Sequence, residues 1–474
     1  MRYDLFGSAP VRKLTDREKF SAIFIERSGL IDCLGMSDGT IYALSTAPGR
    51  AGIAVLRLSG PAVPEVLQAL TGRVPAPRRA LRARFRDPAS GEILDDGLAL
   101  YFPAPHSVTG EAVGELHIHG SMAVVAALLD CLGRLPGLRP AEPGEFTRRA
   151  FFNGKLDLTA AEGLADLIAA ETAAQRRQAL RQLSGELGRL TESWRAKLLA
   201  TQARLEAAID FPDEDLPAGL IPTARADAEA LLRTILAHLA DDRRGERLRE
   251  GVAIAILGPP NAGKSSLMNA LARRDVAITS AVAGTTRDVI EVALDLAGYP
   301  VLLADTAGLH STRDEIEEEG VRRARARAES ADLKLVIVDA TRPQEIAELG
   351  VLIDERALLI ANKIDLLPAG VALPINALPL SVKSGAGMDA LLARLQEEVA
   401  ARLAPGAAPL VTRARHRAAL EECCAALARF TTASLPELGA EDLRMAARAL
   451  GRITGRVDVE DMLDLLFQEF CIGK

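Results

Sequence analysis

The stretch GPPNAGKS, from Gly258 to Ser265, decides the fold of the central part of this chain. It matches G-x-x-x-x-G-K-[ST], the phosphate-binding loop, and it lies between a strand-like run, Val252 to Leu257, and a helix-like run, Ser266 to Leu271. A loop in that context directs backbone N–H groups at phosphate oxygens, while its lysine reaches the β- and γ-phosphates and its serine hydroxyl holds Mg²⁺. The motif predicts nucleoside triphosphate binding on a mostly parallel sheet, with contacts from Asn261, Ala262, Gly263, Lys264, Ser265 and Ser266.

Three further motifs follow at the ends of apolar runs, and they indicate guanine. Leu302 to Gly308 is a strand ending in D-x-x-G, whose aspartate is placed to hold Mg²⁺ through water. Asn362 to Asp365 reads N-K-x-D, and its aspartate can accept two hydrogen bonds for which adenine has no donor pair. Ser381 to Lys383 resembles the S-A-K loop that supports the base. The predicted contacts are Asp305, Thr306, Ala307, Gly308, Asn362, Lys363, Asp365, Ser381, Val382 and Lys383.

The switch regions differ from those of Ras-like GTPases. The GTTRD segment from Gly284 supplies Thr286 as the second Mg²⁺ hydroxyl, but Leu309 stands where Ras-like switches carry a glutamine that orients water. A carboxylate of the acidic stretch 314–319, acting through a bridging water, is one replacement; the alternative is that this stretch is a solvated helical face. No arginine finger is evident, and a monovalent cation held by Asn261 and loop carbonyls is a candidate for the missing charge.

Composition indicates a globular protein with several domains. The 474 residues suffice for two to four domains, and 49% of them are hydrophobic while 26% are charged. A net charge of −7 and an aromatic content of 4% argue against a chain that coats nucleic acid over its whole surface or stacks many bases. Five scattered cysteines without a C-x-x-C motif predict a reduced, cytoplasmic protein without structural zinc, and no apolar run predicts a membrane span.

The first third of the chain divides into two parts. Residues 1–35 show no apolar period and Met36 looks like a second start, so we expect a loose extension or an upstream start codon there. Residues 36–153 alternate short strand-like runs with a helix-like run between Gly and Pro turns, which predicts an α+β domain.

The remainder predicts a helical domain that is interrupted by the P-loop domain. Residues 154–250 and 404–474 are rich in Ala, Leu, Arg and Glu at helical spacing, and the leucines of 180–190 illustrate it. Breaks are expected only at Asp210 to Asp213 and at Ile221-Pro222. We expect the two helical segments to pack together, with residues 251–403 inserted between them as the P-loop domain.

Other motifs complete a pattern that extends over residues 36–474. They are TAPGR from Thr46, PGEF from Pro143, NGKLDL from Asn153, DFP from Asp210 and the terminal CIGK from Cys471. Together with the G-x-P-N-A-G-K-S, G-T-T-R-D and D-T-A-G-L motifs, they make the chain resemble the bacterial tRNA modification GTPase family MnmE, also called TrmE.

The resemblance implies a folate-binding N-terminal domain that dimerises and takes a one-carbon tetrahydrofolate. The folate contacts of the family correspond to Arg57, Glu115, Lys155 and Lys474. Glutamate accepts from the N–H edge of a pterin, and the basic residues suit folate carbonyls or the anionic glutamyl tail. On residue type alone, each of these four would be a surface charge.

For the G domain, the resemblance implies K⁺ in place of the arginine finger. Its ligands correspond to Asn261, Ser280, Val282 and Thr285, with Ser280 standing where threonine is expected. The water-positioning glutamate corresponds to Glu317, and Lys264 is the other side chain expected to act in hydrolysis. The switch contacts to nucleotide are Ser280, Ala281, Val282, Ala283, Gly284, Thr285 and Thr286.

The resemblance also implies partners and a reaction. The family acts with the FAD-dependent MnmG on the wobble uridine of certain tRNAs, where it adds a carboxymethylaminomethyl-type group at C5. A homodimer, a hetero-oligomer with that partner and tRNA as substrate are therefore expected, with GTP hydrolysis driving domain movement. A functional thiol at Cys471 is implied as well; the alternative is an inert terminal residue.

A ribosome-assembly GTPase, which is an RNA-binding switch with the same G motifs, is the alternative function. That class carries a basic RNA-binding appendage, such as a KH module with a G-x-x-G loop among lysines and arginines. No such segment follows Leu403. The CIGK tail and the folate-like N-terminal domain favour the tRNA-modifying GTPase.

Overall fold

Two compact units make up the computed structural model of this chain. The first combines residues from 1–155 with residues from 467–474, and the second lies within 156–466. The structure describes residues 39–211, 219–274, 276–278, 291–305, 329, 331–342, 344, 353–368, 371, 373, 376–403, 410–457, 463, 466–468, 470 and 472–473. The extension 1–35 lies outside the described residues.

A six-stranded mixed sheet forms the first unit, in the strand order β3-β4-β5-β2-β1-β6. Its elements are β1 (Thr40–Leu44), β2 (Ala54–Ser59), α1 (Val63–Thr71), β3 (Leu81–Arg86), β4 (Ile93–Phe102), β5 (Val113–Ile118), α2 (Met122–Arg134), β6 (Leu138–Pro140) and α3 (Glu145–Phe152). Neighbouring strands are antiparallel except for β1 and β6, which are parallel. This is the α+β arrangement predicted from the pattern of short runs.

The two faces of this sheet are covered differently. Successive side chains of a strand point to opposite faces, and Leu56, Phe85 and Leu116 point to the face that packs with α1 and α2. On the other face, Phe146 of α3 packs with Ile41 of β1. The side chains of β3, β4 and β5 that alternate with the core residues therefore form a separate, largely polar part of this second face.

The end of the chain packs against this first unit. Ile472 forms an antiparallel β-bridge with Pro143, and the hydroxyl of Ser45 donates a hydrogen bond of 2.8 Å to the carbonyl oxygen of Gly473. Gly144 has a φ of 66°, and a Cβ there would lie 2.6 Å from the carbonyl oxygen of Phe467. The glycine of the PGEF motif is therefore required where the backbone of the tail passes close to it.

Helices dominate the second unit on both sides of the P-loop region. They are α4 (Leu158–Ala169), α5 (Ala173–Leu183), α6 (Glu186–Asp210), α7 (Leu220–Leu239) and α8 (Arg244–Glu250) before it, and α11 (Ala414–Thr432) and α12 (Pro436–Thr454) after it. One apolar core contains side chains from both segments: Leu198 and Ile235 from the first, and Leu420 and Leu450 from the second.

Two expected details of these helices are wrong. The leucines of 180–190 do not form one stripe, because α5 ends at Leu183 and α6 begins after Gly185, whose φ is 79°. Leu180 is 47% exposed. Pro222 does not break a helix; it lies in the first turn of α7, where backbone N–H groups have no intrahelical acceptor and proline removes no bond.

The P-loop region forms a second six-stranded sheet, in the order β12-β11-β10-β7-β9-β8. Its elements are β7 (Val252–Leu257), α9 (Lys264–Ala272), β8 (Glu291–Leu296), β9 (Tyr299–Asp305), β10 (Leu333–Asp339), β11 (Ala357–Asn362), β12 (Leu378–Pro379) and α10 (Met388–Leu403). Every neighbouring pair is parallel except β8 and β9. The carboxyl ends of β7, β9, β10 and β11 therefore meet at one edge, where open α/β sheets bind ligands.

Candidate functional site

The phosphate loop joins β7 to α9 with a backbone that suits an anion. Gly258, Asn261 and Gly263 have φ values of 147°, 63° and 106°. A Cβ at Gly258 would lie 2.1 Å from the carbonyl oxygen of Ile337, so only glycine fits there. The ammonium of Lys264 donates a hydrogen bond of 2.8 Å to the carbonyl oxygen of Gly258, which holds it against the loop. Such a loop, with an ammonium beside it and a helix N-terminus after it, fits phosphate groups.

Asn362 connects the phosphate loop to the two loops predicted to bind the base. Its buried side chain donates from Nδ2 to the carbonyl oxygen of Ala262 at 2.8 Å, and Oδ1 accepts from the backbone N–H of Val382 at 3.2 Å. Ser381 Oγ donates to Asp365 Oδ1 at 2.6 Å. These bonds bring the N-K-x-D and S-V-K segments to the same edge of the sheet as the phosphate loop.

Asp339, which the motif analysis missed, holds the lysine of N-K-x-D. Lys363 Nζ lies 2.7 Å from Asp339 Oδ2, and the backbone N–H and hydroxyl of Thr341 both donate to Oδ1. Burial raises the pKa of Asp339, but the bonds from Lys363 and Thr341 outweigh it and hold that pKa below its usual value. The sequence did contain a signal for it: Asp339 directly follows the apolar run of β10, whose carboxyl end lies at the same edge of the sheet as the phosphate loop.

Of the other residues predicted to contact the nucleotide, the structure describes only some. Asp305 ends β9 next to β7, Ser265 and Ser266 lie in the first turn of α9, and Lys383 lies in the turn before α10. The predicted switch residues that lie outside the described residues are Ser280, Ala281, Val282, Ala283, Gly284, Thr285, Thr286, Thr306, Ala307, Gly308 and Glu317.

In the first unit, Arg57 and Glu115 form the centre of a polar cluster. They are register partners on β2 and β5, and Arg57 contacts Glu115 Oε1 through Nη2 at 3.0 Å and through Nε at 3.2 Å. His117 Nε2 lies 3.3 Å from Glu115 Oε2, and the guanidinium of Arg57 lies 5.9 Å from the ring centre of Phe146. A carboxylate accepts hydrogen bonds, and the basic side chains on either side of it can donate them. The cluster could therefore bind a ligand whose edge presents donors next to acceptors.

Lys155 is the other residue predicted for this cluster that the structure describes. Lys155 lies beside Gly110, where a Cβ would be 3.4 Å from its Cε. Gly473 lies against Ser45 and against Leu44, the last residue of β1, in which Ala43 pairs with Arg57. Cys471 and Lys474 flank that part of the tail and lie outside the described residues.

Neither a cluster of metal-ligating side chains nor a membrane-spanning helix is present in the part of the chain that the structure describes. No three His, Cys, Asp or Glu side chains there are grouped as metal ligands. No helix among those residues has the length and apolar character that crossing a bilayer requires.

Comparison with known proteins gives the family. Residues 40–155 match the model of the GTP-binding protein TrmE N-terminus, and residues 158–471 match the MnmE helical domain. The tRNA modification GTPase MnmE of Paramagnetospirillum magneticum is 59% identical over 92% of this chain and 99% of its own length. This chain belongs to the MnmE family of tRNA modification GTPases. Two further relatives carry the same name. The MnmE of Parvibaculum lavamentivorans is 60% identical over 92% of this chain and 100% of its own length, and that of Rhodospirillum rubrum is 55% identical over 93% and 100% of the two chains, respectively.

Among solved structures, matches include G domains of the FeoB iron transporter. That of T. maritima is 24% identical and covers 32% of this MnmE-family chain and 98% of its own, with a TM-score of 0.24. The G domain of FeoB from Methanococcus jannaschii is 26% identical; the match covers 31% of this chain and 97% of that domain, also with a TM-score of 0.24.

Proposed function

We propose that this tRNA modification GTPase installs a carboxymethylaminomethyl-type group at C5 of the wobble uridine of certain tRNAs. It does so as a cytoplasmic homodimer together with an FAD-dependent partner of the MnmG type, which carries the FAD. The observation that supports this most is the contact of the tail with the first unit, because Ser45 and Gly473 bring the CIGK segment to the hairpin that carries Arg57.

In this proposal the polar cluster of the first unit binds a one-carbon tetrahydrofolate. Glu115 accepts hydrogen bonds from the N–H edge of the pterin, and Arg57 orients that carboxylate. Lys155 and Lys474 neutralise the anionic part of the folate. Cys471 is close enough along the chain to Gly473 to reach the same region, and we propose it as a functional thiol.

The G domain, residues 251–403, supplies binding and hydrolysis of GTP. Lys264 compensates phosphate charge. Ser265 and Thr286 would hold Mg²⁺, with Asp305 acting through water, and the ion would supply positive charge to the phosphate groups. Asn261, Ser280, Val282 and Thr285 hold K⁺ at the place of an arginine finger. Glu317 positions the attacking water through a second water. Hydrolysis moves this domain relative to the helical segments 154–250 and 404–474.

Analysis of modified nucleosides tests the proposed reaction. tRNA from a strain that lacks this gene should contain no carboxymethylaminomethyl-type wobble uridine, and the wild-type gene should restore it. Asp365→Asn and a chain without Cys471 to Lys474 should both fail to restore it. Unchanged nucleosides together with a ribosome-assembly defect in the deletion strain would favour the alternative GTPase function.

A salt comparison tests the proposed cation. GTP hydrolysis should be fast in KCl and slow in NaCl at equal ionic strength, and Asn261→Ala should remove the difference. Ser266, which follows the loop in α9, offers a control: Ser266→Ala should keep the preference for K⁺. Equal rates in both salts would contradict the K⁺ assignment and point to an arginine supplied by a partner.

A further inference from the structure

Five arginines and no acidic residue occupy residues 78–86, and we name this group the arginine edge: Arg78, Arg79, Arg82, Arg84 and Arg86. All five side chains are exposed. The stretch contains β3, which lies at the edge of the first sheet with β4 as its neighbour. Residues 39–155 carry 13 Lys and Arg against 10 Asp and Glu, whereas the whole chain has a net charge of −7. Positive charge is thus concentrated in this unit, and most densely on one strand.

The contacts of the arginine edge leave most of its charge available. Asp96 of β4 accepts from Arg82 at 3.1 and 3.3 Å and lies 3.7 Å from Arg84, so one carboxylate is shared by two guanidinium groups. Arg86 donates to the carbonyl oxygen of Gly91. The side chains of Arg82 and Arg84 are nevertheless 81% and 64% exposed. Guanidinium groups held by their own sheet yet open to solvent suit bidentate contacts with phosphate.

The spacing of these side chains suits a nucleic acid strand. Arg82 and Arg84 point to the same face because strand side chains alternate, and they are separated by about 6.6 Å along β3. That distance resembles the separation of successive phosphates in a polynucleotide backbone. Phe85, which directly follows Arg84, points to the core instead.

The position of the arginine edge relates it to the polar cluster of Arg57 and Glu115. Arg82 pairs with Leu98 on β4, and Leu98 pairs with His117 on β5, which contacts Glu115. Two strand spacings, about 10 Å, thus separate the backbones of Arg82 and His117 on one face of the sheet. Leu98 is 41% exposed between them and offers an apolar contact for a base.

We propose that the arginine edge binds the sugar–phosphate backbone of the substrate tRNA beside the Arg57–Glu115 cluster. The proposal rests on the proposed function, which requires the nucleotide under modification to approach the one-carbon carrier. The competing explanation is that charges on an edge strand only prevent strand addition by another molecule. Lysines or glutamates would serve that purpose equally well, whereas phosphate binding requires a positive charge.

Binding of tRNA by the full chain as a function of salt tests the proposal. The test variant replaces Arg79, Arg84 and Arg86 with glutamine, which leaves the two bonds between Arg82 and Asp96 in place. The control replaces Arg233, Arg394 and Arg444, which are exposed on α7, α10 and α12, so that the net charge changes equally. The probe is a transcript of a tRNA with a wobble uridine, followed by fluorescence anisotropy.

Loss of three phosphate contacts should reduce the magnitude of the slope of log K against log salt by about two to three, since each contact contributes about 0.7 to 0.9. The control and a lysine version of the test variant should keep the wild-type slope, and GTP hydrolysis should be unchanged in all. Arg79 has no ion pair among the described residues, in contrast to Arg82 and Arg84. Arg79→Glu should therefore weaken tRNA binding without disturbing the contacts of the sheet.

Equal slopes for the test variant and the control would overturn the proposal, as would a wild-type chain that fails to bind the transcript. The proposed function is judged separately by the nucleosides of the deletion strain. A strain that lacks the modified uridine while the purified variants bind tRNA like the wild type would therefore reject the arginine edge alone.

Discussion

Asp365 owes its position to one neighbour from another loop. The hydroxyl of Ser381 donates to Oδ1 at 2.6 Å, so one carboxylate oxygen is oriented by the protein. In the proposed site the guanine N–H groups face Asp365, so Asp365→Asn replaces an acceptor with a donor at a cost of roughly 2–4 kcal/mol. GTP affinity should fall at least ten-fold, and xanthosine triphosphate, which presents an acceptor there, should bind better than GTP. Titrations with both nucleotides check this; unchanged GTP affinity would remove Asp365 from the site.

We expect Asp339 to act on the nucleotide only through Lys363, with which it forms an ion pair. Asp339→Asn keeps an acceptor for Thr341 but removes the charge that holds Lys363 Nζ at 2.7 Å. Affinities for GTP and GDP should fall together by about five- to ten-fold, near 1 kcal/mol, because the ion pair is partly exposed. The K⁺ preference should persist, since the phosphate loop is unchanged.

The same strand offers a matched control for that substitution. Asp354 forms a 2.8 Å ion pair with Lys334 at the opposite end of β10, away from the nucleotide edge. Asp354→Asn should leave both nucleotide affinities unchanged. Equal effects of Asp339→Asn and Asp354→Asn would mean that Asp339 stabilises the sheet and does not position Lys363.

Among the elements, α4 and α11 meet through buried charges. Glu162 accepts two bonds from Arg415, at 2.5 and 2.6 Å, and lies 2.9 Å from His416 Nε2. Burial raises the pKa of Glu162, yet the contacts with His416 and Arg415 hold it well below its usual value. Burial lowers the pKa of His416, which is fully buried, so its ring is neutral near pH 7. The two helical segments are thus joined by an ionised carboxylate and a neutral imidazole.

This pair predicts how the stability of the helices depends on pH. The pKa of His416 is lower in the folded chain than in the unfolded chain. As the pH is lowered below about 6.5, the unfolded chain therefore takes up a proton that the folded chain does not, and the stability of the fold decreases. The slope reaches at most about 1.4 kcal/mol per pH unit. His416→Gln removes that titration and should flatten the dependence between pH 6.5 and 5.5. Loss of the Glu162 contribution begins only below about pH 4.5.

The single tryptophan makes this measurement specific. Trp194 is the only one in the chain and is buried in the helical core, so its fluorescence during urea unfolding reports these helices. His119, which is exposed in the first unit, provides the control His119→Gln. Equal pH slopes for the wild type and His416→Gln would show that His416 does not titrate on unfolding.

At the scale of the whole molecule, residues far apart in the sequence meet in one unit, as Ser45 and Gly473 do. Removal of Cys471 to Lys474 should weaken 5-formyl-tetrahydrofolate binding and abolish tRNA modification, because the tail lies against the hairpin that carries Arg57. GTP hydrolysis should survive, since the G motifs lie between Gly258 and Lys383.

A single substitution separates docking of the tail from its chemistry. Ser45→Ala removes the 2.8 Å hydrogen bond to Gly473 and leaves Cys471 and Lys474 in the chain. It should weaken folate binding less than the deletion does. Folate affinity unaffected by either change would refute a shared site, and loss of GTP hydrolysis on deletion would show that the tail is needed for folding.

Local motifs allowed several features to be predicted from the sequence. The phosphate loop requires positive φ at Gly258 and Gly263, and its flanking runs already show a strand and a helix, so β7 and α9 form as expected. The same holds for N-K-x-D after β11. These features depend on backbone constraints among residues a few positions apart, which the spacing of residue types records directly.

Tertiary structure decided the contacts between distant residues. Asn362 and Ala262 are 100 positions apart, and Ser45 and Gly473 are 428 apart. The bond between Asp339 and Lys363 depends on the parallel pairing of β10 with β11, which neither strand specifies alone. The helix break at Gly185 could not be predicted from the spacing of the leucines either, because that spacing continues across the break. Such contacts arise from the packing of whole elements, whose free energy is shared among many side chains and is not encoded in any short motif.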